Sequence, residues 1–420
     1  MSILLRNSTL PIIHKSIRRV ASESTSSKDP PLFIRRDERS ELRPSLYHIK
    51  RPNDSRIARK NRSEPPRDLN YDPAKWKHHK APGRHLRNLF EVFRCASIQR
   101  LIFPDLFLTA SVATGLTYYN EMMTYDLLPV FYFDTTTFTT FSLAISVLAG
   151  FRLNASYDRW NEARKVLGQV NTVSRGLMGK SCMFLTNNNK QRMKTLLKSF
   201  AVALHFHLNT KGGYYRVSSS DPELKVKLNN AFKDEMREIF FSENDEQCDG
   251  NNYVAVKDFE KICMTYESGS HVPLMILSCI RKLIFDSQPA IEPIYCVDMD
   301  SQVQNLMSSL GSCERLLRTP IPTTFTTNTS RLMSLWSLTL PLAMYPLTGP
   351  IWTLPFSVLL SYVVLSIEDI GVEIEEPFYV LPMRQYTEGI ADSLDVIHKT
   401  YDMRSEVPIN DDKFYDKFIL

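Results

Sequence analysis

Several motifs that mark catalysis are missing from this 420-residue chain. Its seven cysteines are odd in number and widely spaced, and no CxxC pair occurs. Neither a disulfide framework nor a cysteine zinc site is therefore expected, and a reducing compartment suits these thiols. The chain also lacks a GxSxG nucleophile elbow, a phosphate-binding P-loop and an HExxH zinc motif. The sequence predicts no enzyme, no catalytic residue, no cofactor and no metal site.

The chain also has little excess of basic over acidic residues, since its formal net charge is only +5. No basic cluster interleaved with aromatic residues is present, so no nucleic-acid partner is predicted. The first 22 residues contain no acid but hold Arg6, Lys15, Arg18 and Arg19. They lack the continuous apolar core of a secretory signal and fit an organelle transit peptide, with a disordered basic tail as the alternative. Residues 1–75 as a whole are predicted to be disordered.

Four nearly uncharged windows are predicted to cross a membrane as helices. A crossing needs roughly 20 apolar residues for a ~30 Å hydrocarbon core. The run from Leu332 to Ile367 is too long for one crossing, and Pro346, Gly349 and Pro350 break it into a predicted helical hairpin. The predicted spans are about 101–120, 127–151, 331–346 and 350–368.

The folded domain predicted over 76–400 is polar outside these four windows. Residues 152–330 show amphipathic helical spacing and are predicted to form a helical cytosolic part, and residues 401–420 are predicted to form a C-terminal tail. Basic residues precede the first and third spans and follow the second. The charged residues of the link between the first two spans are instead acids, Glu121 and Asp126. Both termini are therefore predicted on the cytosol, stroma or matrix side. The expected location is an organelle membrane (plastid thylakoid or mitochondrial inner) or the plasma membrane.

The second window is rich in threonine. Thr136, Thr140 and Ala144 are spaced by four and so share one helical face. Several copies around an axis would form a narrow pore there, in which hydroxyl groups replace part of an anion's hydration shell. Packing of small residues against a neighbouring helix is the alternative. Asp134, the lone acid of this window, is expected at the outer mouth and off the pore face.

Charged residues gather where the second and fourth windows end. Arginine is too costly to face lipid, so we predict pairing between the two clusters. The pairs would anchor the end of the pore helix and, secondarily, form a vestibule that attracts anions. The basic cluster is Arg152, Asn154, Arg159 and Arg164, and the acidic one is Glu368, Asp369, Glu373, Glu375 and Glu376.

Two metal sites were weighed and not favoured. Glu373, Glu375 and Glu376 lie at a helix end, whereas calcium wants six or more oxygens from a shaped loop. His205 and His207 are two apart on a predicted helix, so they face different sides and are not expected to form a metal pair.

Three blocks resemble the bestrophin family, in particular its plant, algal and bacterial branch, which includes thylakoid voltage-dependent chloride channels. They are ISVLAGFRLNASYDRWNEARKVLGQVNTVSR, with the pattern FRxNxxYxRWxEAR, then CERLLRTPIPTTFTTNTSRLMSLWSLTLPL, and LLSYVVLSIEDIGVEIEEPF. The resemblance implies an all-α membrane protein that assembles as a homopentamer and conducts chloride or bicarbonate. Its partners would be membrane lipid, copies of itself and small anions. The family's neck positions fall on Thr136, Thr140 and Ala144.

Two departures from the animal members matter. Those members have bulky apolar residues at the neck, so a neck of Thr, Thr and Ala is expected to be wider and wetter. They also carry an acidic calcium clasp, whereas Pro377-Phe378 is followed here by YVLPMRQYTEG, without an acidic run. Calcium activation is therefore not expected. The alternatives to a channel are a proton-coupled anion carrier that depends on Asp134, and a non-conducting membrane scaffold.

Overall fold

The computed structural model describes residues 73–84, 86, 102–125, 130–208, 222–241, 252–288 and 291–406. Throughout these residues the regular structure is helical, with no strand, as an all-α fold requires. The predicted transit peptide and residues 407–420 lie outside the described residues. The helices are α1 (Pro73–His79), α2 (Phe107–Tyr125, preceded by a π-helical turn at Ile102–Leu106), α3 (Thr135–Phe184), α4 (Asn187–Phe206), α5 (Pro222–Phe240), α6 (Asn252–Glu267), α7 (Val272–Asp286), α8 (Pro293–Arg318), α9 (Thr323–Ile374), α10 (Pro377–Val380) and α11 (Met383–Glu406).

Helix α3 begins at Thr135, later than the predicted span 127–151, because residues 130–134 are not helical. Asn120 of α2 bonds both backbone groups of Phe131 at 3.0 Å, and Phe133 N donates to Leu342 O at 3.1 Å. Asp134 then caps the helix, since its carboxylate accepts from Thr137 N at 3.1 Å. Because these backbone groups find hydrogen-bond partners on other helices, the segment does not have to be helical. The prediction started the span too early because the residues before Asp134 are apolar.

The same helix also continues well past the predicted boundary at residue 152. Its 50 residues make a rod of about 75 Å. No proline interrupts it, and buried positions such as Ala163, Val170 and Leu177 recur at helical spacing. The predicted division between a membrane span and a cytosolic part therefore falls inside one helix.

Helix α9 is two antiparallel arms joined at Gly349. This glycine has φ 73° and ψ 174°, within the predicted turn. A straight helix of 52 residues would put its ends about 78 Å apart. Instead, Arg152 Nη1 lies 2.7 Å from both Thr326 O and Glu368 Oε1, near opposite ends of α9. The arms extend to Thr323 and Ile374, beyond the predicted 331–346 and 350–368, because a helix continues into polar residues that an apolar window excludes.

Two helices of the described part, α3 and α9, are long and apolar enough to cross a membrane by length and composition. Helix α2 occupies most of the first predicted window, 101–120, and extends to Tyr125. It does not meet the same test, because Thr, Ser, Tyr and Asn dilute its apolar residues.

Helices α4, α8, α10 and α11 pack against α3, and α4 also contacts α7 and α11. Helices α5 and α6 join this group through α4 and α7. Aromatic rings fill part of this core: Phe232 stacks on Tyr266 at 3.9 Å and meets Phe206 edge-on at 5.2 Å. Helix α11 runs to Glu406, so the predicted tail 401–420 begins inside a helix.

Candidate functional site

The proximal half of α3 has one packed face and one exposed face. Ile145 and Ala149 are buried against Met333, Trp336 and Leu340 of the first arm of α9. Trp336 Nε1 also donates to Ser142 Oγ at 2.8 Å, which fixes the rotation of α3. Thr136, Thr140 and Ala144 all lie on the other face and are exposed in the single chain.

The threonine hydroxyl at the middle of this face is engaged within the helix. Thr140 Oγ1 donates to Thr136 O at 3.1 Å, as hydroxyls in membrane helices commonly do. The hydrogen of the Thr140 hydroxyl is therefore used by the backbone. None of the three side chains on this face carries a fixed charge.

Arg152 lies buried where α3 passes between the two arms of α9. Its side chain is 4% exposed and Glu368 is 11% exposed, with Nη1 and Oε1 2.7 Å apart. The same nitrogen donates to Thr326 O. A Cβ at Gly371 would lie 3.9 Å from Arg152 Nε, so the second arm passes close by. Arg152 and Glu368, one from each predicted cluster, are therefore paired through their charged groups.

Arg159 is held by hydrogen bonds to backbone carbonyls, one of them from Glu375 of the predicted acidic cluster. It donates to Leu316 O and Thr319 O, both at 2.6 Å, and to Glu375 O at 3.3 Å. These carbonyls lie at the ends of α8 and α9, where the helix leaves acceptors without internal partners. Burial lowers the pKa of Arg159, and Glu375 and Glu162 oppose that shift. One guanidinium thus joins three helices.

The other predicted charges are less enclosed. Arg164 is exposed, lies 5.4 Å from the Trp160 ring centroid and donates to Asn161 Oδ1 at 3.4 Å. Asn154 is exposed as well. Asp369 is buried, whereas Glu373, Glu375 and Glu376 are half-buried around the end of α9. Arg164 and Asn154 are therefore the members available to water.

A different cluster was missed by the sequence reasoning. His207 Nε2 and His271 Nε2 lie 2.8 and 2.5 Å from the same oxygen, Glu314 Oε1. His205 is buried elsewhere, so the two neighbouring histidines do face different sides. The three clustered residues come from α7, α8 and the end of α4, far apart in the chain, and no local spacing signals their meeting.

Comparison with known proteins places these features in a family. The sequence model described as bacterial/fungal bestrophin protein matches residues 75–396. The chain is 27% identical over 325 residues to voltage-dependent chloride channel 1, chloroplastic, of Arabidopsis thaliana, covering 74% of this chain and 69% of that protein. It is 24% identical over 247 residues to the voltage-dependent anion channel-forming protein YneE of Escherichia coli K12, covering 59% of this chain and 69% of that protein.

The fold has solved counterparts. A crystal structure of a bacterial bestrophin homologue from Klebsiella pneumoniae superimposes with a TM-score of 0.57 at 22% identity, covering 70% of this chain and 98% of that chain. At this identity the likeness concerns the fold alone. Because the family match spans most of the described helices, the chain belongs to the bestrophin family.

Proposed function

We propose that this chain is a subunit of an anion channel, and that the Thr136–Thr140–Ala144 face of α3 lines its pore. The observation that carries the proposal is the exposure of this face on a helix whose opposite face is packed against α9. Threonine hydroxyls that face lipid would gain no polar contact. In an oligomer whose copies are arranged around an axis, the same face would contact water. The channel names of the relatives agree with this assignment.

The chemistry of the face suits permeation rather than binding. The Thr140 hydroxyl is held by Thr136 O, so a chloride or bicarbonate ion passing it keeps most of its water. Conduction needs sites weak enough to release the ion. Small side chains leave a neck wide enough for a partly hydrated anion.

The remaining helices supply the frame. We assign membrane spans to α2, the proximal half of α3 and the two arms of α9, with both chain termini on the cytosol, stroma or matrix side. Arg152 and Arg159 anchor the inner end of the pore helix, and Arg164 contributes positive charge to the inner vestibule. The assembly is a homopentamer in an organelle membrane or the plasma membrane, and it needs no calcium.

The carrier alternative has less support. Asp134 accepts hydrogen bonds from Thr137 N and Thr137 Oγ1 as the cap of α3. A carrier would require Asp134 to leave this cap, which would disturb the start of α3.

Planar-bilayer recording of the purified chain in asymmetric chloride, with and without calcium, tests the proposal. We expect a reversal potential near the chloride equilibrium value in both conditions. Thr140→Phe should cut the single-channel conductance at least about tenfold by narrowing the neck, whereas Thr140→Val should change it less than about twofold because the native hydroxyl is already bonded. Thr139→Phe, about 100° around the helix, is the matched control and should keep most of the current.

Equal conductance in wild type and Thr140→Phe would show that this face does not form the narrowest part of the pore. A silent bilayer from well-folded oligomers would favour the scaffold. A current that requires a proton gradient and vanishes in Asp134→Asn would favour the carrier.

A further inference from the structure

We propose that His207, His271 and Glu314 form a binding site for a divalent transition metal of the zinc class. Each of the three residues offers one ligand atom, and these atoms all lie within 4.8 Å of one another. Among the described residues, this is the group whose donor atoms converge in this way. The inference goes beyond anion conduction and does not rest on it.

The ligand types select the metal. Two imidazole nitrogens and one carboxylate oxygen are a common protein ligand set for zinc, with water at the fourth position. Calcium and magnesium prefer shells of six or more oxygens, which this set does not supply. A nitrogen-rich site with one carboxylate therefore favours zinc, or cobalt as its spectroscopic substitute.

Hydrogen bonds hold the three side chains together, so their ligand atoms lie closer to one another than they would around a metal ion. The two Nε2–Oε1 separations are 2.8 and 2.5 Å, and the two imidazole centroids are 4.4 Å apart. Ligand atoms around tetrahedral zinc lie roughly 3.3 Å apart, since each bond is ~2.0–2.1 Å. Each histidine Nε2 would therefore have to move away from Glu314 Oε1 by less than ~1 Å to admit the ion.

The surroundings leave one side of the cluster accessible. The His207 side chain is 8% exposed, Glu314 is 23% exposed and His271 is 30% exposed. The half-exposed Glu314 and His271 therefore give an ion from solution a path to the more buried His207.

Two neighbours oppose metal binding and so sharpen the test. His271 Nδ1 accepts from Leu274 N at 3.2 Å as the cap of α7, which places the ring proton on Nε2. Metal at Nε2 moves that proton to Nδ1 and displaces the cap. Arg318 Nη2 also lies 3.8 Å from Glu314 Oε1 on a 62% exposed side chain. Its charge repels a cation, although water screens it.

The experiment uses the tag-free full chain, purified in detergent with chelator and titrated with ZnCl₂ against a chromophoric competitor. We expect one zinc per chain and, with CoCl₂, the intense visible absorption of tetrahedral cobalt. His207→Gln, His271→Ser and Glu314→Gln should each weaken zinc binding at least about tenfold. Serine caps a helix well, so His271→Ser removes the ligand and keeps the start of α7.

Two further variants serve as controls. His398→Gln removes a histidine that pairs with Asp402 outside the cluster and should leave zinc affinity unchanged. Arg318→Gln removes the neighbouring cation and should tighten zinc binding by about two- to fivefold. Thermal unfolding in chelator checks that every variant is folded.

Unchanged affinity in all three ligand variants would overturn the proposal, as would the absence of zinc binding tighter than about 1 mM. Equal binding by wild type and His271→Ser, with octahedral cobalt spectra, would also overturn it. Loss of binding in the ligand variants, with affinity kept in His398→Gln, would establish the site whatever the bilayer recordings show.

Discussion

At the scale of single residues, two arginines of the FRxNxxYxRWxEAR stretch hold α3 in different ways. Arg152 pairs with a buried acid and a carbonyl from opposite arms of α9. Arg159 donates hydrogen bonds to carbonyls at the ends of two helices. Arg152 belongs to a buried ion pair, so loss of one partner leaves the other charge buried and unpaired. Arg159 is a cation that caps the C-terminal ends of helices.

Loss of Arg152 alone should therefore destabilise the protein strongly. Arg152→Met leaves Glu368 buried without its partner, and we expect a cost of about 3 kcal/mol. The double variant Arg152→Met with Glu368→Leu should recover much of that loss, because both charges are gone. Thermal unfolding in detergent measures the three proteins.

The exposed Arg164→Met is the control and should lie within about 0.5 kcal/mol of wild type. If the double variant were no more stable than Arg152→Met, the lost bond to Thr326 O, and not the stranded charge, would be the main cause.

The burial of His205 in α4 predicts that the stability of the protein depends on pH. Complete burial lowers the pKa of His205 to about 4, with a smaller contribution from Arg384. The unfolded chain takes up this proton near pH 6.5, whereas the folded protein does so only near pH 4. Stability is therefore unaffected above pH 6.5 and falls between pH 6.5 and 4, by up to about 3 kcal/mol.

The measurement compares unfolding of wild type and His205→Gln between pH 4.5 and 8. The difference between the two should be constant above pH 7 and shift against the wild type as the pH falls. A pH-independent difference would mean that His205 titrates alike in both states.

At the scale of elements, the turn in α9 depends on one glycine. Gly349 has φ 73° and ψ 174°, a region that residues with a Cβ rarely occupy. Gly349→Ala should cost about 1–3 kcal/mol through backbone strain, although no atom crowds the site. Gly176→Ala, in the middle of α3 and also uncrowded, should instead be neutral or stabilising by up to about 1 kcal/mol.

Unfolding temperatures of the two variants, measured side by side, decide the point. Equal shifts would show that the α9 turn adopts a conformation open to alanine.

The helices that sequence reasoning located well are those with local signals. The Pro346–Gly349–Pro350 cluster marked the α9 turn because proline and glycine act on their own backbone. The start of α3 was missed because Asn120 and Leu342, from other helices, hydrogen-bond the backbone of Phe131 and Phe133 just before it. The His207–Glu314 contact was missed for the same reason, since it joins helices distant in sequence.

At the scale of the whole molecule, the single chain leaves α3 half covered. Leu143, at 66% exposure, and Val147, at 50%, share the exposed side with Thr136 and Thr140 because i, i+4, i+7 and i+11 lie on one face. If further copies cover this side around an aqueous axis, polar substitutions there should be tolerated. If the side meets lipid, they should not.

A matched pair of leucines separates these cases. Leu143→Gln, on the proposed pore side, should keep the oligomer and its stability, because the amide meets water. Leu359→Gln, 56% exposed in the single chain on the second arm of α9, should lose about 1–3 kcal/mol, because the amide enters lipid or an apolar subunit contact.

Native mass spectrometry and thermal unfolding of both variants check this expectation. Wild type and Leu143→Gln should each give the mass of five 420-residue chains, with Leu359→Gln shifted toward smaller species. A wild-type monomer would remove the axis on which the pore depends. The opposite result, an intact oligomer that tolerates Leu359→Gln but is destabilised by Leu143→Gln, would contradict the proposed orientation of α3. The threonine face would then lie against apolar surroundings, and the ion path would have to follow another helix.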